Sequence, residues 1–194
     1  MRKEYDFSKA KKNPYAKHLK KQVTIRLDGE TMSFSPPKLA RISKTSVITL
    51  NAPLTKVFPL FGPIKEKEWA FGWEPEVLYL TTDLVEEHMI FKTRSHHEHE
   101  PDFLWTVSKY HPDSAFIEYT VFAPERLWWI TIKCREGKSR ETTEAEITYT
   151  YTGLTEKGSA TNQKALETMF RRELKDWEEE INHYLDTGKR LEHS

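Results

Sequence analysis

The string Ser95-His96-His97-Glu98-His99-Glu100-Pro101 concentrates three imidazoles and two carboxylates within seven residues. Both groups are ligands for zinc, copper or nickel. In an extended chain His97 and His99 share one side, and His96 and Glu98 the other. The string lies between two segments that read as strands, however, and it ends in a proline. It therefore reads as the polar, solvated tip of a hairpin, and no metal site beyond adventitious capture is expected of it.

The other acid–base and nucleophile candidates stand alone. Cys134 is the single cysteine, so no internal disulfide and no multi-cysteine metal site can form. It shares strand parity with Ile130 and Ile132 and should be a small buried hydrophobe. Glu118 lies between Ile117 and Tyr119 but points to the opposite face, towards water. His88 has the parity of Ile90 and Lys92, an outer face, and His111 precedes Pro112 in a turn. The seven glycines are scattered singly, so there is no phosphate-cradling loop. Nothing here forms a nucleophile, a base and a group to orient it. No catalytic residue and no cofactor is assigned, and whether the protein is an enzyme stays open.

The aromatic residues are the more informative set. They make up 12% of the chain and include Trp69, Trp73, Trp105, Trp128, Trp129 and Trp177. Taking the apolar parity of each strand places Met89, Phe91, Trp105 and Val107 on one face. The same face continues with Ile117, Tyr119, Ile130, Ile132, Ile147 and Tyr149. Met169 and Phe170 come from the last helix. As a group these residues are expected to line a cavity, in which Tyr119, Tyr149 and the Trp105 indole nitrogen would orient a ligand. The adjacent Trp128 and Trp129 must point to opposite faces.

The elements that would position these residues are legible from residue 44 onwards. Ser46–Leu50 reads as a strand, ended by Asn51-Ala52-Pro53, with Asn51 as a helix cap and Pro53 in a first turn. Short helices are expected up to about Phe61 and over about 64–70, on either side of Gly62-Pro63. Strands follow at about 76–80, 87–93, 103–110, 115–122, 128–135 and 144–152, separated by turn chemistry. From about Ser159 to Asp186, apolar residues recur every three or four positions, which makes one long amphipathic helix. The fold class is α+β: a curved seven-stranded antiparallel sheet gripping a long C-terminal helix.

This order resembles that of the START-like or SRPBCC superfamily, the Bet v 1-like helix-grip fold, over about residues 44–189. Local strings carry the same resemblance: Asn51–Phe61, Glu68-Trp-Ala-Phe-Gly-Trp73, Ile147–Tyr151 and Ile181–Gly188. The resemblance implies a hydrophobic pocket between sheet and helix. It implies no catalytic set, because the superfamily mixes lipid carriers, cyclases and binders.

Residues 1–43 form a basic N-terminal arm, and 190–194 a short tail. Residues 1–44 hold twelve Lys and Arg against four Asp and Glu, while the whole chain balances at thirty of each. Glu4–Lys17 followed by Gln22–Asp28 resembles the opening segment of ribbon-helix-helix antitoxins. That resemblance implies Gln22, Thr24 and Arg26 reading the major groove of DNA. The two helices that should follow are replaced by Gly29–Pro37, so nucleic acid is not expected as a partner. There is no secretory leader and no run of 18 apolar residues, which predicts a soluble, cytoplasmic protein without membrane insertion. The leading functional expectation is binding of a small apolar or amphipathic ligand. A cyclase- or hydrolase-like enzyme using the same cavity is the alternative, and a DNA-binding regulator acting through the arm is the third. Composition does not settle the oligomeric state.

Overall fold

The computed structural model describes residues 40–94 and 101–192, which lie within one contact unit, Lys38–Ser194. Seven strands are present among the described residues: β1 (Arg41–Leu50), β2 (Glu76–Tyr79), β3 (Ile90–Thr93), β4 (Phe103–His111), β5 (Phe116–Ala123), β6 (Arg126–Glu136) and β7 (Thr143–Gly153). All pair antiparallel in the order β1-β7-β6-β5-β4-β3-β2, the open sheet expected from the alternating pattern. Burial alternates residue by residue along β6 and β7, so one face meets the core and the other meets water.

β1 begins at Arg41, earlier than the boundary at residue 44 read from the sequence. Arg41, Ile42 and Ser43 pair with Thr152, Tyr151 and Thr150. Their polar composition had suggested the arm. It reflects an edge strand, on which only Ile42 of the three packs partly against the core. The arm itself, with Gln22, Thr24 and Arg26, and the histidine string at 95–100 lie outside the described residues.

Between β1 and β2 the chain makes α1 (Leu54–Val57), a 3-10 turn at Phe58–Phe61 and a second 3-10 turn at Lys65–Glu68. These are tighter than the two helices expected. Asn51 does not cap the first of them: Pro53 holds that position, with no side-chain bond. The Asn51 N–H instead donates to Asn182 Oδ1 at 2.8 Å, and Asn182 Nδ2 donates to the Thr49 carbonyl at 3.1 Å. One side chain thus ties the C-terminal helix to the end of β1.

That helix is α2 (Glu156–Thr168), one π-helical turn (Met169–Glu173) and α3 (Leu174–Thr187). Thr155 caps it, accepting from the Gly158 N–H at 3.0 Å. A Cβ at Gly158 would collide with the Glu125 carbonyl, so glycine lets α2 approach the β5–β6 turn. The helix was expected to be continuous, and the wide turn shifts its apolar stripe. Leu166, Leu174 and Ile181 are buried, whereas Met169 and Phe170 are only partly so. No helix among the described residues is long and apolar enough to cross a membrane.

Candidate ligand cavity and its buried carboxyl

Strand parity sets Trp105, Tyr119, Ile130, Ile132 and Tyr149 side by side on the concave face of the sheet. α3 adds Trp177, and the segment between β1 and β2 adds Phe61, Glu66 and Trp73. Together these residues enclose a void of about 40 Å³. Five of the twelve residues expected to line a ligand cavity therefore border this small void. Met89, Phe91, Val107, Ile117 and Ile147 are fully buried on the same face but pack into the core around it. Met169 and Phe170 lie off its wall: Phe170 packs edge-on to Tyr149 at 6.2 Å, with the Lys44 ammonium 4.9 Å over its ring. The rotation introduced by the π-helical turn accounts for this, and Trp177 takes the place expected of them.

The aromatic rings interlock. Trp105 stacks on Phe91 at 5.5 Å and meets Trp73 edge-to-face at 5.4 Å and Tyr119 at 6.1 Å. Their polar tips are largely spoken for. Trp105 Nε1 donates to Thr93 Oγ1 at 2.9 Å, and Trp73 Nε1 to the Pro63 carbonyl at 2.8 Å. The Tyr119 hydroxyl donates to the Phe61 carbonyl at 2.5 Å. The Trp105 indole nitrogen and the Tyr119 hydroxyl, both expected to orient a ligand, thus brace the wall instead. What these rings leave to the void is mostly apolar surface.

Glu66 is the residue that sequence reasoning missed. Lys65-Glu66-Lys67-Glu68 looks like a solvated charge run, and three of its four members behave that way. Lys65 pairs with Glu68 at 2.6 Å, Glu68 also accepts from the Tyr184 hydroxyl, and Lys67 is exposed. Glu66 points inward because the 3-10 turn is anchored at both ends. Its own N–H donates to the Gly62 carbonyl at 2.9 Å, and its carbonyl accepts from Ala70 at 2.8 Å. The one clue in the sequence was the apolar residue on each side of the run, Ile64 and Trp69, the first partly and the second fully buried.

Glu66 is 9% exposed, and no hydrogen bond reaches its carboxyl among the described residues. Burial holds it well above the ordinary carboxylate range, and the negative charge of Glu180 on α3 raises it further. Burial likewise pushes the Tyr119 and Tyr149 hydroxyls well up, with Glu66 contributing to both. Cys134 is buried as expected, its thiol pushed up to about 12 by desolvation, so it is no nucleophile at neutral pH. His88 and His111 are exposed. No cluster among the described residues could hold a metal ion.

Outside the void lies an open groove of about 990 Å³, floored by Trp73, Phe103 and Trp105 and rimmed by charged residues such as Lys67, Arg94 and Asp102. Trp73 and Trp105 belong to both spaces, so this pair separates them. Trp105 is fixed in β4. Trp73 follows Gly72, whose φ of +74° suits glycine and leaves open space around it.

No family model matches the sequence, and no curated protein matches it significantly. Solved structures do match in fold. Norcoclaurine synthase from Thalictrum flavum aligns with a TM-score of 0.57 at 11% identity, over 86% of this chain and 99% of that one. A second structure of that enzyme, in complex with dopamine and hydroxybenzaldehyde, gives 0.58 at 10% identity, over 88% and 99%. An aromatase/cyclase from Streptomyces sp. R1128 gives 0.58 at 11%, over 78% and 100%. The chain has the Bet v 1-like helix-grip fold that the sequence suggested.

Proposed function

We propose that this domain binds a small apolar or amphipathic molecule in the space beneath α3, in a protein of the cytoplasm. The observation that carries the reading is the Glu66 carboxyl, buried without a hydrogen-bond partner against an aromatic-walled void. Burying a polar group unpaired costs on the order of 1–3 kcal/mol, and a core with no occupant gains nothing in return. The fold neighbours add support, since one of them was solved with small aromatic molecules bound.

A void of about 40 Å³ admits water, not an aromatic ring. For comparison, a benzene-binding cavity is about 150 Å³. A ligand therefore needs Trp73 to swing away from Trp105 and join the void to the groove. That movement breaks one indole hydrogen bond and two aromatic pairs, with Trp105 and with Phe91, a cost of about 1.5–4.5 kcal/mol. It leaves roughly 0.1–10% of molecules open at any moment. Native mass spectrometry of gently purified protein tests the reading. A retained small molecule is expected, lost on mild activation; a bare chain that also takes up no apolar probe would contradict it.

Glu66 also favours a second reading, a reaction in the same space. A neutral carboxylic acid in an apolar pocket can donate a proton. Turnover that falls as pH rises through the Glu66 titration, and that vanishes in Glu66→Gln, would mark an enzyme. Binding without turnover would mark a carrier or receptor.

A further inference from the structure

The residues lining the void bring one carboxyl, two phenols and three indoles, and among the described residues they include no Lys, Arg or His. A second carboxylate, Glu180, acts on Glu66 from α3. This is an acidic site with aromatic walls. An anionic ligand would find no Lys, Arg or His among the lining residues to neutralise it. A plain hydrocarbon would leave Glu66 as unpartnered as it is in the free protein. An ammonium group satisfies both features at once, through a charge-assisted hydrogen bond or ion pair to the carboxylate and through cation–π contact with the tryptophan faces.

We infer that the ligand is a small organic cation, an ammonium head on an apolar or aromatic body, with the head beside Glu66 and the body passing between Trp73 and Trp105 towards the groove. This inference rests on the cavity being a binding site. The dimensions agree with that division. The void takes a primary ammonium head but no ring, and the larger space lies beyond the two tryptophans.

Binding then carries a proton signature. Free Glu66 is held neutral by burial and by Glu180, whereas a bound cation favours its ionised form, so binding releases a proton and affinity rises with pH. The titratable groups coupled to Glu66 are Glu180 from α3, which raises it, and Tyr119 from β5 and Tyr149 from β7, whose hydroxyls it raises. Both hydroxyls are raised above their ordinary value of 10.0, so they stay neutral over the range that matters. A Glu180→Gln control removes the remaining carboxyl.

The experiment uses the full chain and two probes of the same shape, 2-phenylethylammonium and propylbenzene, which differ in a charged nitrogen versus a carbon. Binding is followed by tryptophan fluorescence from pH 5 to 8. The ammonium is expected to bind at least about tenfold more tightly at pH 8, the gain of a desolvated cation–π and ion-pair contact. Its affinity should fall by up to about tenfold per pH unit on acidification, while the hydrocarbon stays flat. Glu66→Gln should abolish both the preference and the slope while hydrocarbon binding persists. Equal or tighter hydrocarbon binding to the wild type would overturn the cationic class and leave the cavity reading standing. So would tight binding of acetophenone that strengthens as pH falls, which would make Glu66 a hydrogen-bond donor to carbonyls. Failure of all three probes to bind would sink both. The wild-type pH series decides the matter even if the variant does not fold.

Discussion

Replacing Glu66 with Gln should make the protein more stable at neutral pH, with a margin that depends on pH in a defined way. The carboxyl is buried, has no hydrogen-bond donor among the described residues and faces the charge of Glu180, so its folded-state value lies above the ordinary 4.5. A carboxyl raised on folding contributes stability that is complete below its unfolded value and is lost as pH climbs towards its folded value. Each pH unit in which the folded carboxyl keeps its proton and the unfolded one does not weakens the wild type by about 1.4 kcal/mol. Glutamine has no proton to lose and is nearly the same shape. The two stability curves should therefore meet near pH 4 and separate above it, by roughly 3–6 °C in Tm per pH unit for a domain of this size. Urea denaturation followed by tryptophan fluorescence, in half-unit steps from pH 4 to 8, measures the separation. A constant difference across that range would mean that Glu66 titrates as an ordinary solvated glutamate, and the site described here would not exist.

Further substitutions test the supporting structure. Tyr119→Phe removes the donor to the Phe61 carbonyl and strands that oxygen, so chemical denaturation should show a loss of about 1–3 kcal/mol; a neutral result would mean the bond is not made. Asn162 is 1% exposed, with neither side-chain amide atom hydrogen-bonded among the described residues. Asn162→Leu should therefore stabilise α2 by about 1 kcal/mol, and clear destabilisation would reveal a partner for the amide. Removing residues 1–37 should leave a domain that still melts cooperatively, within ~0.5 kcal/mol of the full chain; loss of cooperativity would tie the arm to the core.

The sheet was legible because each inward position is marked by an apolar residue at alternate steps. Ile130, Ile132 and Cys134 fall on the buried side of β6, and Ile147, Tyr149 and Tyr151 on that of β7. The Trp128-Trp129 pair resolves as alternation requires: Trp128 is buried, while Trp129 faces outward under the Arg41 guanidinium at 4.9 Å. What could not be read depends on contacts distant in sequence. Asn182 claims the Asn51 N–H from 131 residues away, which no local capping rule foresees. The π-helical turn moves Phe170 off the wall and brings Trp177 onto it, whereas periodicity treats a helix as uniform. Glu66 was hidden for the same reason. Its inward direction is set by how the 3-10 turn is anchored against Gly62 and Ala70, and its residue type alone argued for water.

If the space walled by Ile132, Tyr149 and Trp177 takes up a ligand, filling that space should block uptake. Ile132→Trp places a bulkier ring where about 40 Å³ is free, with overpacking expected to cost about 1–3 kcal/mol and the fold retained by circular dichroism. Titration with an environment-sensitive apolar dye should give saturable one-to-one binding to the wild type and much weaker binding to the variant. Equal binding to both proteins, or no saturable binding to the wild type, would contradict the account.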